Sequence, residues 1–94
     1  MDRTLLTDEE RSDLASAHPD WDVGDTEMRR VVRLADFGEA MGFVTRVGLA
    51  AEALDHHPDI DIRWNTVTLV LSTHSAGGLT ALDRSLATSI DSWL

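Results

Sequence analysis

The chain has no cysteine among its 94 residues. That excludes a disulfide framework, a thiol nucleophile and a cysteine-based zinc site. Positive charge is scarce: 8 basic residues stand against 17 acidic ones, for a net charge of −9. So acidic a chain repels phosphate backbones and anionic membranes, which argues against nucleic-acid and membrane binding. Long apolar runs are missing too, and no stretch approaches the roughly 20 residues that span a bilayer. Met1-Asp2-Arg3-Thr4 lacks the basic region and apolar run of a signal peptide. A cytoplasmic protein is the expectation. No internal repeat, low-complexity tract or linker is found, and no G-x-S-x-G turn exists to present a serine nucleophile.

What is present fits one small globular domain over residues 1–94. The apolar content is 43%, and a chain of this size buries roughly 60–65% of its unfolded surface. Thr7-Asp8-Glu9-Glu10 is a capping box that opens a short helix, with Leu14 inward and Pro19 at its end. Trp21-Asp22-Val23 alternates as a strand does, Gly24-Asp25 turns, and a longer strand runs from about Thr26 to Leu34. On it Met28, Val32 and Leu34 share one face; Glu27, Arg29, Val31 and Arg33 share the other.

Asp36 with Glu39 signals a second helix start. Phe37, Met41, Val44, Val47, Ala51 and Leu54 then recur at helical spacing, with Phe43 and Ala50 widening the stripe. Pro58 predicts an end near Asp55. Residues 59–64 alternate strictly, Asn65 turns, and 66–73 is rich in β-branched residues. Gly77-Gly78 breaks the chain, and Thr80 with Asp83 forms a third capping box before Leu82, Leu86, Ile90 and Trp93. The order α-β-β-α-β-β-α predicts an α+β domain: a four-stranded, mainly antiparallel sheet with three helices on one face. The segment that follows the second helix should lie at a sheet edge.

Chemistry concentrates in the histidines. His18 precedes Pro19 in a loop and reads as ordinary surface. His56 and His57 close the second helix, about 100° apart if helical, so they would flank a site. His74 lies at the end of the fourth strand. A helix end and a strand end can converge at one rim, and imidazoles there titrate near neutral pH, as acid–base catalysis requires. A metal is not expected, because helical histidine ligands sit at i and i+4 rather than adjacent. A structural reading stands beside the catalytic one: His56 suits a helix C-terminus, and Pro58 is a stop signal. Glu52 lies one turn before His56 and can meet it. Asp83 is the fourth residue of its capping box.

The spacing carries further. Glu52, His56-His57-Pro58, Trp64, His74 and Asp83 resemble the signature of the pterin-4a-carbinolamine dehydratase family, with Thr45-Arg46-Val47, Leu71-Ser72-Thr73-His74 and Gly78-Leu79-Thr80 as matching flanks. The resemblance covers nearly the whole chain, Trp21 included. It departs at Asp59-Ile60-Asp61, where many relatives carry aromatics; here negative charge stands near the expected mouth.

The resemblance implies a hydro-lyase. Its substrate would be a 4a-hydroxytetrahydropterin of the tetrahydrobiopterin type, the by-product of pterin-dependent aromatic amino acid hydroxylases, and its products a quinonoid dihydropterin and water. No redox change occurs, so neither cofactor nor metal is implied. His56, His57 and His74 would be the catalytic set, with His56 and His74 exchanging protons and His57 binding pterin. Ser72, Thr73 and Trp64 would contact the ring, and Glu52 and Asp83 would support the histidines. A homodimer or homotetramer built on the long helix is implied. The rival reading is a non-enzymatic partner, since some superfamily members act as a coactivator or an assembly factor.

Overall fold

Each of the three helices begins where a polar side chain can satisfy its free N–H groups. In a computed structural model, which describes residues 2–94, Thr7 and Glu10 form the capping box of α1 (Asp8–Ala17). Asp36 accepts from Glu39 N–H at the start of α2 (Phe37–Leu54). Thr80 and Asp83 box the start of α3 (Ala81–Asp91). Each such cap contributes about 1 kcal/mol.

The strands are β1 (Asp22–Val23), β2 (Met28–Arg33), β3 (Asp59–Arg63) and β4 (Thr66–Leu71). They form one sheet in the order β1-β2-β4-β3, with every neighbouring pair antiparallel. β3 is therefore an edge strand, and the His-Pro segment that feeds it lies at that edge as expected. The strands are shorter than their β-rich runs: β4 stops at Leu71, and His74 opens a short 3-10 turn, His74–Ala76, instead of ending the strand.

Register places Met28–Leu71, Arg30–Leu69–Ile60 and Val32–Val67–Ile62 in rows on the face toward the helices. Against these rows α2 packs Ala40, Phe43, Val47 and Ala51, while α3 packs Leu86, Ala87 and Ile90. The buried stripe of α2 is thus turned from the one expected. Phe37 and Met41 are exposed, as is Leu49 at 69%. The helix is apolar on more than one side, so spacing alone could not decide which side met the sheet.

Arg30 is the other surprise. It sits in a buried row between Met28 and Val32, where an unpaired charge would be costly. Asp91, at the end of α3, receives it: Arg30 Nη1 donates to Asp91 Oδ1 at 2.6 Å. Trp21 Nε1 donates to the same oxygen at 2.7 Å, and His18 Nδ1 to Oδ2 at 2.6 Å. His18 is therefore no loose surface residue; its side chain is 12% exposed. This carboxylate joins the end of α1, strand β2 and the last turn of α3. Burial pushes the Asp91 carboxyl up, but the hydrogen bonds from His18, Trp21 and Arg30 and the Arg30 charge outweigh it and hold it below its ordinary value.

A folded-state acid stronger than its unfolded counterpart stabilises the fold fully above the ordinary carboxylate range. That stability is lost as pH falls below that range and through the lowered folded-state value. Asp91→Asn should cost about 2 kcal/mol, or roughly 10 °C in Tm for a domain this small. Thermal melts from pH 7 to pH 3 check this: the gap between variant and wild type should narrow on acidification. A gap unchanged at pH 3 would show that the charge is irrelevant.

Candidate active site

α2 ends at Leu54, and the manner of its ending places the first two histidines. Asp55 adopts the left-handed conformation (φ 50°), one that aspartate tolerates better than most residues. His56 N–H then reaches back to Ala51 O at 3.0 Å, a six-residue closure of the Schellman type. Neither histidine is helical, so the 100° argument does not apply. The chain turns His56 inward, where it is 6% exposed, and leaves His57 outside with its side chain 58% exposed.

The inward imidazole meets Asp83. His56 Nε2 lies 2.6 Å from Asp83 Oδ1, and an ionised carboxylate only accepts, so Nε2 carries the proton. Asp83 is wholly buried. Its other oxygen accepts from Thr80 N–H at 2.9 Å and from Thr73 Oγ1 at 2.8 Å. Thr73 has one hydroxyl proton, so in its 2.7 Å contact with Thr80 it is Thr80 that donates. Thr80 Oγ1 accepts in turn from Leu82 N–H. Every member of this buried network is satisfied, the condition under which such a network rigidifies rather than destabilises. Asp83 is thus both the capping residue of α3 and the partner of His56. Its Oδ1 bond leaves His56 Nδ1 as the ring nitrogen with no protein partner among the described residues.

Glu52 does not orient His56. It pairs instead with His57, Nε2 to Oε1 at 2.9 Å, with both groups largely in water. A pair so exposed is worth about 0–1 kcal/mol. Glu52, Asp55 and His57 bring potential ligand atoms within 4.8 Å of one another. All three are exposed, and the imidazole is already engaged with Glu52.

A cavity of about 280 Å³ opens between the end of α2 and the turn after β4. Arg3, Asp55, His56, His57, Ser72, Thr73, His74 and Ser75 line it. The three histidines of the expected set thus share one pocket, whose volume is near the small end of ligand sites, roughly 300 Å³. A larger depression on the outer side of α3, lined by Ala81, Arg84, Ser85, Thr88 and Ser89, carries no group that titrates near neutral pH.

Not every expected residue arrives. Trp64 occupies the β3–β4 turn with a left-handed backbone (φ 52°) and is 68% exposed. It lies five residue steps along the chain from Asp59, about 16 Å at ~3.3 Å per residue. The structure does not bring it to this pocket. Thr73 is present, but its backbone N–H is bonded to Gly78 O and its carbonyl accepts from Ala76 and Gly77. That carbonyl and N–H are therefore committed to the loop, and Ser72 Oγ donates to Thr26 O. Arg3, Asp55 and Ser75 were not anticipated. Asp55 adjoins the histidine pair, which is a usable signal; Arg3 is distant in sequence, and only tertiary structure reveals it.

The site is thus an imidazole cluster at the rim of a two-layer α+β domain, with one imidazole buried on a carboxylate. A sequence model described as Pterin 4 alpha carbinolamine dehydratase matches residues 4–93. The chain belongs to that family. Relatives from Chloroflexus aurantiacus and Nocardia farcinica, each named "Putative pterin-4-alpha-carbinolamine dehydratase", are both 50% identical. The first aligns over 86 residues, 92% of each chain, and the second over 91 residues, 97% of this chain and 96% of its own. A crystal structure of a transcriptional coactivator/pterin dehydratase from Brucella melitensis is similar throughout, with a TM-score of 0.89 and 34% identity over 95% of this chain and 97% of that one. The four-stranded antiparallel sheet and the helix order are the same fold.

Removing the Asp83 charge should be felt twice. Asp83→Asn should destabilise the fold by about 3 kcal/mol, because one of its buried donors loses its acceptor. Nitrogen NMR of His56 should also show the proton redistributed away from Nε2. An unchanged tautomer in a destabilised variant would mean that Asp83 acts only as a cap.

Proposed function

We propose that this protein dehydrates a 4a-hydroxytetrahydropterin to the quinonoid dihydropterin and water. The observation that carries the reading is the convergence of His56, His57 and His74 on one cavity in a chain of this family. The reaction breaks the C4a–O bond. An acid protonates the departing hydroxyl, which leaves as water, and a base takes the proton from N5. No electron leaves the pterin, so the chemistry asks for no redox cofactor and no metal.

The geometry favours one division of labour. With its proton held on Nε2 by Asp83, His56 presents the Nδ1 lone pair, which suits the base that accepts the N5 proton. His74, exposed at the pocket wall, then serves as the acid. His57 can leave Glu52 at little cost and bind the 4a-hydroxyl. Ser72 and Thr73 line the wall against the ring. The fold has no helix long and apolar enough to cross a membrane among the described residues, and a cytoplasmic setting suits the proposed substrate.

His56→Ala and His74→Ala should each lower turnover about 10²–10³-fold, the scale of one acid–base group. The wild-type pH profile should be a bell, and His56→Ala should lose its acidic limb, the limb a base produces. The assay follows the decay of 4a-hydroxytetrahydropterin generated in situ. Wild-type rates in either variant would remove that histidine from the mechanism.

Self-association is the second part of the reading. Phe37, Met41 and Leu49 are exposed along α2, and apolar side chains gathered on one helix suit an interface. The Brucella protein's name pairs dehydratase with coactivator, and a protein-binding role for this chain would use such a surface. The histidine pocket has no part in that rival and favours the enzyme. Sedimentation should show a dimer or tetramer at micromolar concentration, and Leu49→Asp should shift it toward monomer. A clean wild-type monomer would refute the assembly.

A further inference from the structure

Arg3 reaches the histidine pocket through a single stretch of strand-like pairing. Leu5 bridges Thr80, and Leu6 N–H donates to Leu79 O at 2.8 Å. This lays the N-terminal segment against the loop that leads into α3. Arg3 Nη1 then donates to Ser75 Oγ at 2.9 Å, one residue beyond His74. A guanidinium has five N–H donors, so most of its capacity is unused. The arginine–carboxylate pairs among the described residues lie at Arg11, Arg30 and Arg63; none involves Arg3.

The pocket carries groups of both signs. His56 and Thr73 are its buried members. Asp55, grouped with Glu52 and His57, lines it, and so does Arg3 beside Ser75. A pterin carries its substituent on C6, next to the N5 and C4a that the histidines would serve, so the substituent leaves the ring among the lining groups, the exposed Arg3 included. A protein of net charge −9 repels an anionic ligand overall. An acidic substituent therefore needs a local cation, and a guanidinium matches phosphate or carboxylate with two parallel hydrogen bonds.

We propose that Arg3 selects substrate by charge: the pocket prefers a pterin whose ring substituent ends in a phosphate or carboxylate over one with a neutral tail. This rests on the dehydratase reading of the histidine pocket. Arg3 is a specificity residue, and the proton-transfer groups do not depend on it.

The test uses the full chain and two readouts. Fluorescence quenching measures binding of stable oxidised pterins with a neutral polyol tail, a phosphorylated tail or a carboxylate tail. Turnover is measured on the corresponding 4a-hydroxytetrahydropterins. Arg3→Gln should weaken binding, and raise KM, about tenfold for an acidic tail while changing the neutral one less than about twofold. Arg3→Lys should restore part of the loss, and added salt should shrink the wild-type preference. Selectivity for either acid that disappears in Arg3→Gln supports the proposal, and the two acidic arms say which one is favoured. Equal losses with all tails would show that Arg3 merely props the Ser75–His74 turn, and would overturn it, as would a wild type indifferent to tail charge. Turnover without tail selectivity sinks this inference alone. Arg3-dependent binding selectivity without turnover sinks the dehydratase reading and leaves the charge selection standing.

Discussion

A single buried carboxylate ties three parts of this chain together. Asp83 caps α3 through Thr80, holds the end of β4 through Thr73 and fixes His56 at the end of α2. These segments come from residues 56, 73 and 83 and meet only in the folded state. A buried charge is costly unless each lone pair finds a donor. Here the two oxygens are met by an imidazole, a hydroxyl and a backbone N–H, with no buried side-chain polar atom left unpaired among the described residues. The local requirement of a helix start and the remote requirement of a buried imidazole fall on the same side chain. That is why the pocket and the fold cannot be separated at this point.

The second carboxylate, Asp91, works at the opposite end of α3. It neutralises Arg30 in a row of the sheet otherwise made of Met28, Val32 and their neighbours. α3 is thus anchored by a charge at each end, with Leu86, Ala87 and Ile90 buried between. Apolar burial supplies the driving force, at about 25 cal/mol per Å². The two carboxylates set register, since a shift of one helical residue would strand His56 or Arg30 without its partner.

How legible this was depended on the range of the interaction. Helix starts at Thr7, Asp36 and Thr80 are contacts within three residues, and the sequence shows them directly. The edge placement of the His-Pro segment followed from topology. The inward side of α2 did not, because Phe37, Met41 and Leu49 are as apolar as Phe43 and Val47. His18 looked like loop surface because its partner lies 73 residues away at Asp91. Trp64 fitted a spacing, yet spacing along a hairpin says nothing about which end faces the pocket. The catalytic reading of the histidines came from family resemblance more than from physics, since adjacency at a helix end suits capping as well as catalysis. Arg3 left no trace in the sequence at all.

The three imidazoles are held with very different firmness, and the difference is itself an argument about roles. Breaking the buried His56–Asp83 pair would leave a charge stranded, a cost of about 3–5 kcal/mol. Separating His57 from Glu52 costs about 1 kcal/mol or less. His74 has no hydrogen-bond partner for its ring among the described residues. A group that must offer one ring nitrogen in one tautomer benefits from the rigid site, because a rotated imidazole would present its proton where the lone pair is needed. A group that must follow a hydroxyl from bound substrate to departing water benefits from the loose one. In the proposed reaction the strongly pinned histidine would therefore be the base, and the two lightly held ones would bind and release water at the mouth. The asymmetry arises because α2 ends in a left-handed aspartate, which sends consecutive histidines to opposite sides of the surface.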